Sequence, residues 1–180
     1  MKKTYKTEGI VLKHINFGEA DRILTVFTKH YGKVKAMAKG VRRVTSRKGG
    51  NLETFNQVTL FFVKGKNIDI VTEATAINTF SGLRNGLFET GLAFYFCELV
   101  DKLTPESQAN QNVFELLVES LGKIGKTKPI VLVRNFEEEL LKELGFGVPL
   151  SLKSHQGSLK DYIETITEKE IKTPKVLKRL

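Results

Sequence analysis

The chain has one cysteine, Cys97, and no tryptophan. A single thiol excludes an intramolecular disulfide and any four-cysteine metal site, and it fits a reducing compartment. No apolar run approaches the ~20 residues needed to span a bilayer. The opening MKKTYKTEGIVLK lacks the apolar stretch of a secretion signal, so a soluble, cytoplasmic protein is expected. Acid is missing as well. Between Asp21 and Glu53 there is none, while nine Lys and Arg residues fall there. The net charge of +9 over 180 residues lies entirely in the first half: residues 1–80 carry 15 basic and 6 acidic side chains, residues 81–180 carry 14 of each. A positive field confined to one half points to a polyanionic partner, nucleic acid before acidic membrane.

What is present divides by period. Glu8–Ile15, Arg22–Thr28, Lys33–Lys39, Val58–Val63 and Ile68–Glu73 read as strands, parted by NFGEAD, KHYG, a connection over residues 40–54, and the hairpin signal KGKN. Five short strands in about 75 residues favour a closed barrel, because closure removes exposed edges. An OB-type barrel is expected first and an SH3-like barrel second. From about residue 83 the apolar period becomes helical. One stripe runs Phe88, Leu92, Phe96, Leu99, Leu103, and a second Val113, Leu116, Leu117, Leu121, Ile124. A third runs Leu132, Phe136, Leu140, Leu144 and stops at Gly145. SLKDYIETI adds a short fourth helix with a capping box, Ser158 to Asp161. Pro105, Pro129 and Pro149 mark the joints. The expected architecture is α+β, an OB barrel over residues 1–80 followed by an α-helical bundle over 81–180.

The charge concentrates in KVKAMAKGVRRVTSRKGG, residues 33–50, with seven cations and no acid. An ordinary solvated face intersperses both signs; this one matches the electrostatic footprint of a nucleic-acid binder. On an extended strand Lys33, Lys35 and Lys39 would share a face, opposite Val34, Ala36 and Ala38. The expected contacts are Arg22, Lys33, Lys35, Lys39, Arg42, Arg43, Arg47 and Lys48. Single-strand binders also stack bases on aromatic rings. Of Phe17, Tyr31, Phe55, Phe61 and Phe62, Tyr31 is preferred because it sits in a turn beside the lysines. One of the adjacent Phe61 and Phe62 should face inward and the other outward.

Other motifs carry little chemistry. GKIGKT at 122–127 resembles part of a phosphate-binding loop, but Ser120 stands where a glycine is required and a helix precedes it, so it reads as a helix end and linker. His14, His30 and His155 have no ligands at metal spacing, Cys97 falls in the most apolar helix, and Glu137, Glu138 and Glu139 read as the exposed side of a helix. A binding protein is expected, not an enzyme, with no cofactor and no metal.

Residues 8–43 and SRKGGNLETFN at 46–56 also resemble the N-terminal signature of the bacterial recombination mediator RecO family. Gly9, Gly18, Glu19, Leu24, Phe27, Thr28, Gly32, Ala38, Lys39, Gly40, Arg42, Ser46, Leu52 and Phe55 carry it in order and spacing, with weaker similarity to LGFGVPL at 144–150. The resemblance implies an OB barrel before a helical domain. It further implies binding of single- and double-stranded DNA, annealing of strands coated with single-strand-binding protein (SSB), and loading of RecA together with RecR at the nucleoid during DNA repair. Many members carry a four-cysteine zinc finger after the LGF segment, whereas residues 150–162 here have no cysteine, so a short, zinc-free member is expected. The family's helical domain also receives the acidic SSB tail, for which Arg134 and Lys142 on the third helix are the expected contacts. The rival readings are an RNA-binding OB protein, a protein-interaction adaptor with an incidental basic loop, and, least favoured, a membrane-surface protein.

Overall fold

The computed structural model describes residues 3–147, 159–168 and 170–172. It divides into two compact units, Met1–Phe80 with Pro105–Phe114, and Ser81–Thr104 with Glu115–Leu180.

The first unit is built on β1 (Thr4–Phe17), β2 (Asp21–Thr28), β3 (Gly32–Ala38), β4 (Gln57–Val63) and β5 (Asp69–Asn78). The strands close into a barrel in the order β1-β2-β3-β5-β4, which is the OB order and removes the SH3-like alternative. Closure depends on the length of β1. Its first half pairs with β4, from Thr4↔Val63 to Ile10↔Gln57, and its second half with β2, from Gly9↔Thr28 to Phe17↔Asp21. Gly9 sits where the two pairings overlap, and a Cβ there would lie 2.5 Å from Val26 Cγ1. The parallel contact of β3 with β5, Ala36↔Asp69 and Met37↔Ile70, shuts the other side. Inward residues Val11, Leu24, Val26, Ala36, Leu60, Phe62 and Val71 form the core. Residues 105–108 run along the start of β3: Ser107 N donates to Lys33 O at 3.0 Å, and Lys33 and Glu106 form a parallel bridge.

Two strands outrun their apolar signal. β1 begins at Thr4 and β5 continues to Asn78, because pairing around a barrel is a backbone matter that polar residues also satisfy.

The second unit contains α1 (Leu87–Leu103), most of α2 (Gln111–Lys123), α3 (Pro129–Glu143) and α4 (Leu159–Thr167). Leu92, Phe96, Leu99, Leu117, Leu121, Leu132, Phe136 and Leu140 are buried, as their spacing requires. The Phe96 and Phe136 rings lie 4.2 Å apart. After α2, Lys126 N and Thr127 N both return to Lys123 O and Gly125 takes φ +78°, so GKIGKT is a helix end. Ser158, Pro149, His155 and the cysteine-free stretch 150–158 lie outside the described residues.

The expectation that Glu137 is exposed is corrected here. It is buried and accepts a hydrogen bond from the Tyr95 hydroxyl. The stripe on α3 is wide enough to include the position beside Phe136, and Glu137 and Leu141 fill that second row. Burial is the main cause that raises the Glu137 carboxyl from near 4.5 to about 7, against the opposing pull of the Tyr95 hydrogen bond and Arg134. The fold therefore holds a proton that the unfolded chain releases between about pH 4.5 and 7, and stability falls as pH rises through that window, by up to ~3 kcal/mol. Glu137→Gln keeps an acceptor for Tyr95 and cannot ionise. It is expected to change little near pH 4.5 and to stabilise by ~2 kcal/mol at about pH 8. Urea unfolding at both values checks this; an equal shift at both would contradict an ionising buried carboxyl.

Candidate nucleic-acid interface

The connection between β3 and β4 is tied to the barrel by hydrogen bonds. Gly40 turns it with φ +63°, and its N–H donates to Asp21 Oδ1 at 2.7 Å. Arg42 N reaches Ala20 O at 2.9 Å, and Arg42 Nη1 reaches Gly18 O at 3.3 Å, so the turn between β1 and β2 and this loop are joined. Val41, Leu52 and Phe55 are buried beneath it. Asn51 Nδ2 donates to Ala74 O, while Asn56 Nδ2 donates to Gly50 O and Asn51 O. With its backbone satisfied in this way, the loop holds Lys39, Arg42, Arg43 and Arg47 exposed at one end of the barrel.

The remaining expected contacts are placed differently. Lys48 Nζ donates to Val71 O at 3.1 Å and is half-buried. Arg22 points inward beside the loop, its Nη1 2.9 Å from Glu53 Oε1 and its side chain 18% exposed. Among the described residues its Nε is a buried polar atom without a partner. Lys33 is 8% exposed, so the row of three lysines reduces to Lys35 and Lys39. Lys35 is exposed and lies 2.5 Å from Glu106.

Tyr31 is not brought to the loop. It precedes β3 whereas the loop follows it, and a seven-residue strand separates them by ~20 Å. Its ring lies 4.6 Å from Tyr5, which stacks on Phe62 at 4.8 Å and donates to Asp69 Oδ2. Phe62 faces inward and Phe61 outward, with Lys6 Nζ 5.0 Å from the Phe61 ring centre. The aromatic that does share the loop's end is Phe17, 50% exposed and paired with Asp21. Its signal was the outward alternation Ile15–Asn16–Phe17, which a search for rings beside lysines passes over.

In the helical unit, Arg134 pairs with Glu138 at 2.8 Å and Lys142 with Glu139 at 3.2 Å. A groove of about 470 Å³ between α2 and α3 is lined by Leu116, Ser120, Leu132 and Phe136, with Glu119, Glu138, Glu139 and Lys123 also contributing. Neither Arg134 nor Lys142 lines it.

Burial, with Asp101 nearby, pushes the Cys97 thiol far above its usual range. Burial and then Arg22 lower His14, whose Nδ1 lies 3.2 Å from Thr54 Oγ1. Among the described residues no three His, Cys, Asp or Glu side chains gather to hold a metal, and no helix is long and apolar enough to cross a membrane.

The family described as recombination protein O matches in two parts, its N-terminal domain over residues 1–80 and its C-terminal domain over 84–162. The chain belongs to the RecO family. A "DNA repair protein RecO" of Pelotomaculum thermopropionicum is 38% identical over 158 residues, covering 87% of this chain and 62% of that protein. Proteins of the same name from Desulforudis audaxviator and Acetivibrio thermocellus are 37% and 38% identical, over 82% and 78% of this chain and 59% and 57% of their own. The chain thus spans about 60% of the length of the RecO relatives it matches.

Proposed function

We propose that this RecO-family chain is a recombination mediator of DNA repair. It binds single- and double-stranded DNA on the barrel, anneals complementary strands coated with SSB, and acts with RecR to load RecA at the nucleoid. The observation that carries the reading is the hydrogen-bonded loop presenting Lys39, Arg42, Arg43 and Arg47 together at one end of an OB barrel. Two complementary strands repel each other. A cationic surface that takes up their phosphates releases counterions, lowers the repulsion and raises local strand concentration. No bond is made or broken, so no nucleotide, cofactor or catalytic residue is required.

Contact with the SSB tail is assigned to the helical unit, through Arg134 and Lys142. Both already pair with carboxylates on their own helix, so an acidic tail must displace Glu138 and Glu139 to reach them. The groove beside them, with three carboxylates against one lysine, does not favour an acidic peptide unaided.

The test is annealing of two oligonucleotides coated with cognate SSB, without ATP, alongside SSB lacking its C-terminal tail. Annealing that depends on the tail is the expected result. Tight DNA binding without annealing would reduce the chain to a generic OB binder. Stronger binding to structured RNA than to DNA would move it to a different nucleic acid.

A further inference from the structure

The outer face of β1, β2 and β3 carries a second surface, laid out by the strand register. Across the three strands Lys13 stands opposite Thr25 and Thr25 opposite Lys35; in the next outward row Ile15 stands opposite Ile23 and Ile23 opposite Met37. Phe17 follows on β1, two residues beyond Ile15. The alternate positions fix the direction, because Leu24 and Ala36 between these rows are fully buried. Ile15 is 60% exposed, Phe17 50%, and Ile23 and Met37 are half-buried. An apolar row therefore crosses the outside of the barrel, with Lys13 and the Lys35–Glu106 ion pair on one flank and Lys39 and the arginine loop on the other.

The outward face of a small barrel is ordinarily polar, and large apolar groups there need an occupant. The loop cations along one edge, with Lys13 at the other, select an occupant that pairs apolar surface with anionic groups. A single strand of nucleic acid is of that kind, flat bases bordered by phosphates. A duplex is not, since its bases are stacked inside and only phosphates and groove edges reach the surface. Successive outward rows are ~7 Å apart, which leaves room for an unstacked base between the lysine rows. OB barrels in general offer the face of strands 2 and 3 to oligonucleotides. Specific to this chain is the extension of that face onto β1 by Ile15 and Phe17.

We propose that the row Ile15–Ile23–Met37, with Phe17, seats unpaired bases and makes the barrel prefer single strands over duplex, while the loop cations grip the phosphates of either. This inference rests on the nucleic-acid reading of the loop.

The experiment uses the full chain with an oligothymidylate and a hairpin duplex of equal charge. Ile15→Ser with Phe17→Ser is expected to lower single-strand affinity by roughly tenfold or more. Duplex affinity, which doubles as the check on folding, should stay within about twofold, and the single-strand salt slope should not change because no cation is removed. A parallel loss on both substrates, or no loss on either, would overturn the assignment, as would a loss that follows dissociation of a dimer in light scattering. In a chain without tryptophan, Phe17→Trp supplies a lone indole that can be excited at wavelengths where the four tyrosines do not absorb. Its emission should be quenched by the oligothymidylate and little by the duplex; equal response to both argues against base stacking. Absence of salt-dependent DNA binding in the unaltered chain would instead remove the reading of the loop itself.

Discussion

Replacement of Lys39, Arg42, Arg43 and Arg47 by alanine is expected to lower single-strand affinity by ~10²–10³-fold at about 0.1 M salt, without favouring any sequence. Each phosphate contact on a single strand contributes ~0.7 to the dependence of log affinity on log salt. Four lost contacts remove ~2.8 from that slope, and at a tenth molar this corresponds to a factor of several hundred. The fold should survive, because alanine retains every bond that holds the loop except the exposed one from Arg42 Nη1 to Gly18 O. Arg42 N bonds Ala20 O and Gly40 N bonds Asp21, and the buried Val41, Leu52 and Phe55 are untouched. Fluorescence anisotropy over a salt series measures both quantities together. Unchanged affinity with an unchanged slope would place the phosphate contacts elsewhere on the barrel, and a lower affinity with an unchanged slope would indicate damage to the fold. Lys35 is left out of the set because Glu106 already sits on its ammonium, so its removal subtracts less.

Sequence discloses most where its signal is local. The β-branched and aromatic runs of β2 and β4, the KGKN connection and the helical stripes of α1 to α3 each depend on neighbours within a turn or a strand, and the structure has them. The loop cations were legible for the same reason, since an acid-free run in a connection has nothing adjacent to neutralise it.

What could not be read depends on partners far along the chain. Lys33 has the alternation of an outward residue, yet residues 105–107, some seventy positions later, lie against its strand and cover it. Arg22 belongs to the basic stretch by position, but Glu53 claims its guanidinium. Tyr31 adjoins Lys33 in sequence, and the extended strand that follows carries the chain away from it toward the loop. Glu137 was assigned outward by its charge, although its spacing from Phe136 and Leu140 placed it at the edge of the buried stripe. In each case sequence proximity or charge points one way, and a tertiary partner decides the position in space.

The same covering segment constrains Gly32. Its φ is +68°, in the left-handed region, and a Cβ there would fall 2.1 Å from the backbone oxygen of Gln108. Gly18 provides the matched comparison, with φ +57° and nothing within 4 Å of the same added atom. Gly18→Ala should therefore cost only the backbone term, ~1 kcal/mol. Gly32→Ala adds an overlap that no rotamer can relieve, because the obstacle is main chain, and it is expected to cost ~3 kcal/mol or more. The cheapest relief is for residues 105–108 to leave β3, which breaks the bond from Ser107 N to Lys33 O and takes Glu106 from Lys35. Stability and DNA binding should then be uncoupled: the variant unfolds at lower urea than Gly18→Ala, while its single-strand affinity holds or rises as Lys33 and Lys35 become accessible. Equal stability losses in the two variants would mean that the segment yields freely. A fall in affinity to match the fall in stability would mean that its contact with β3 supports the binding face.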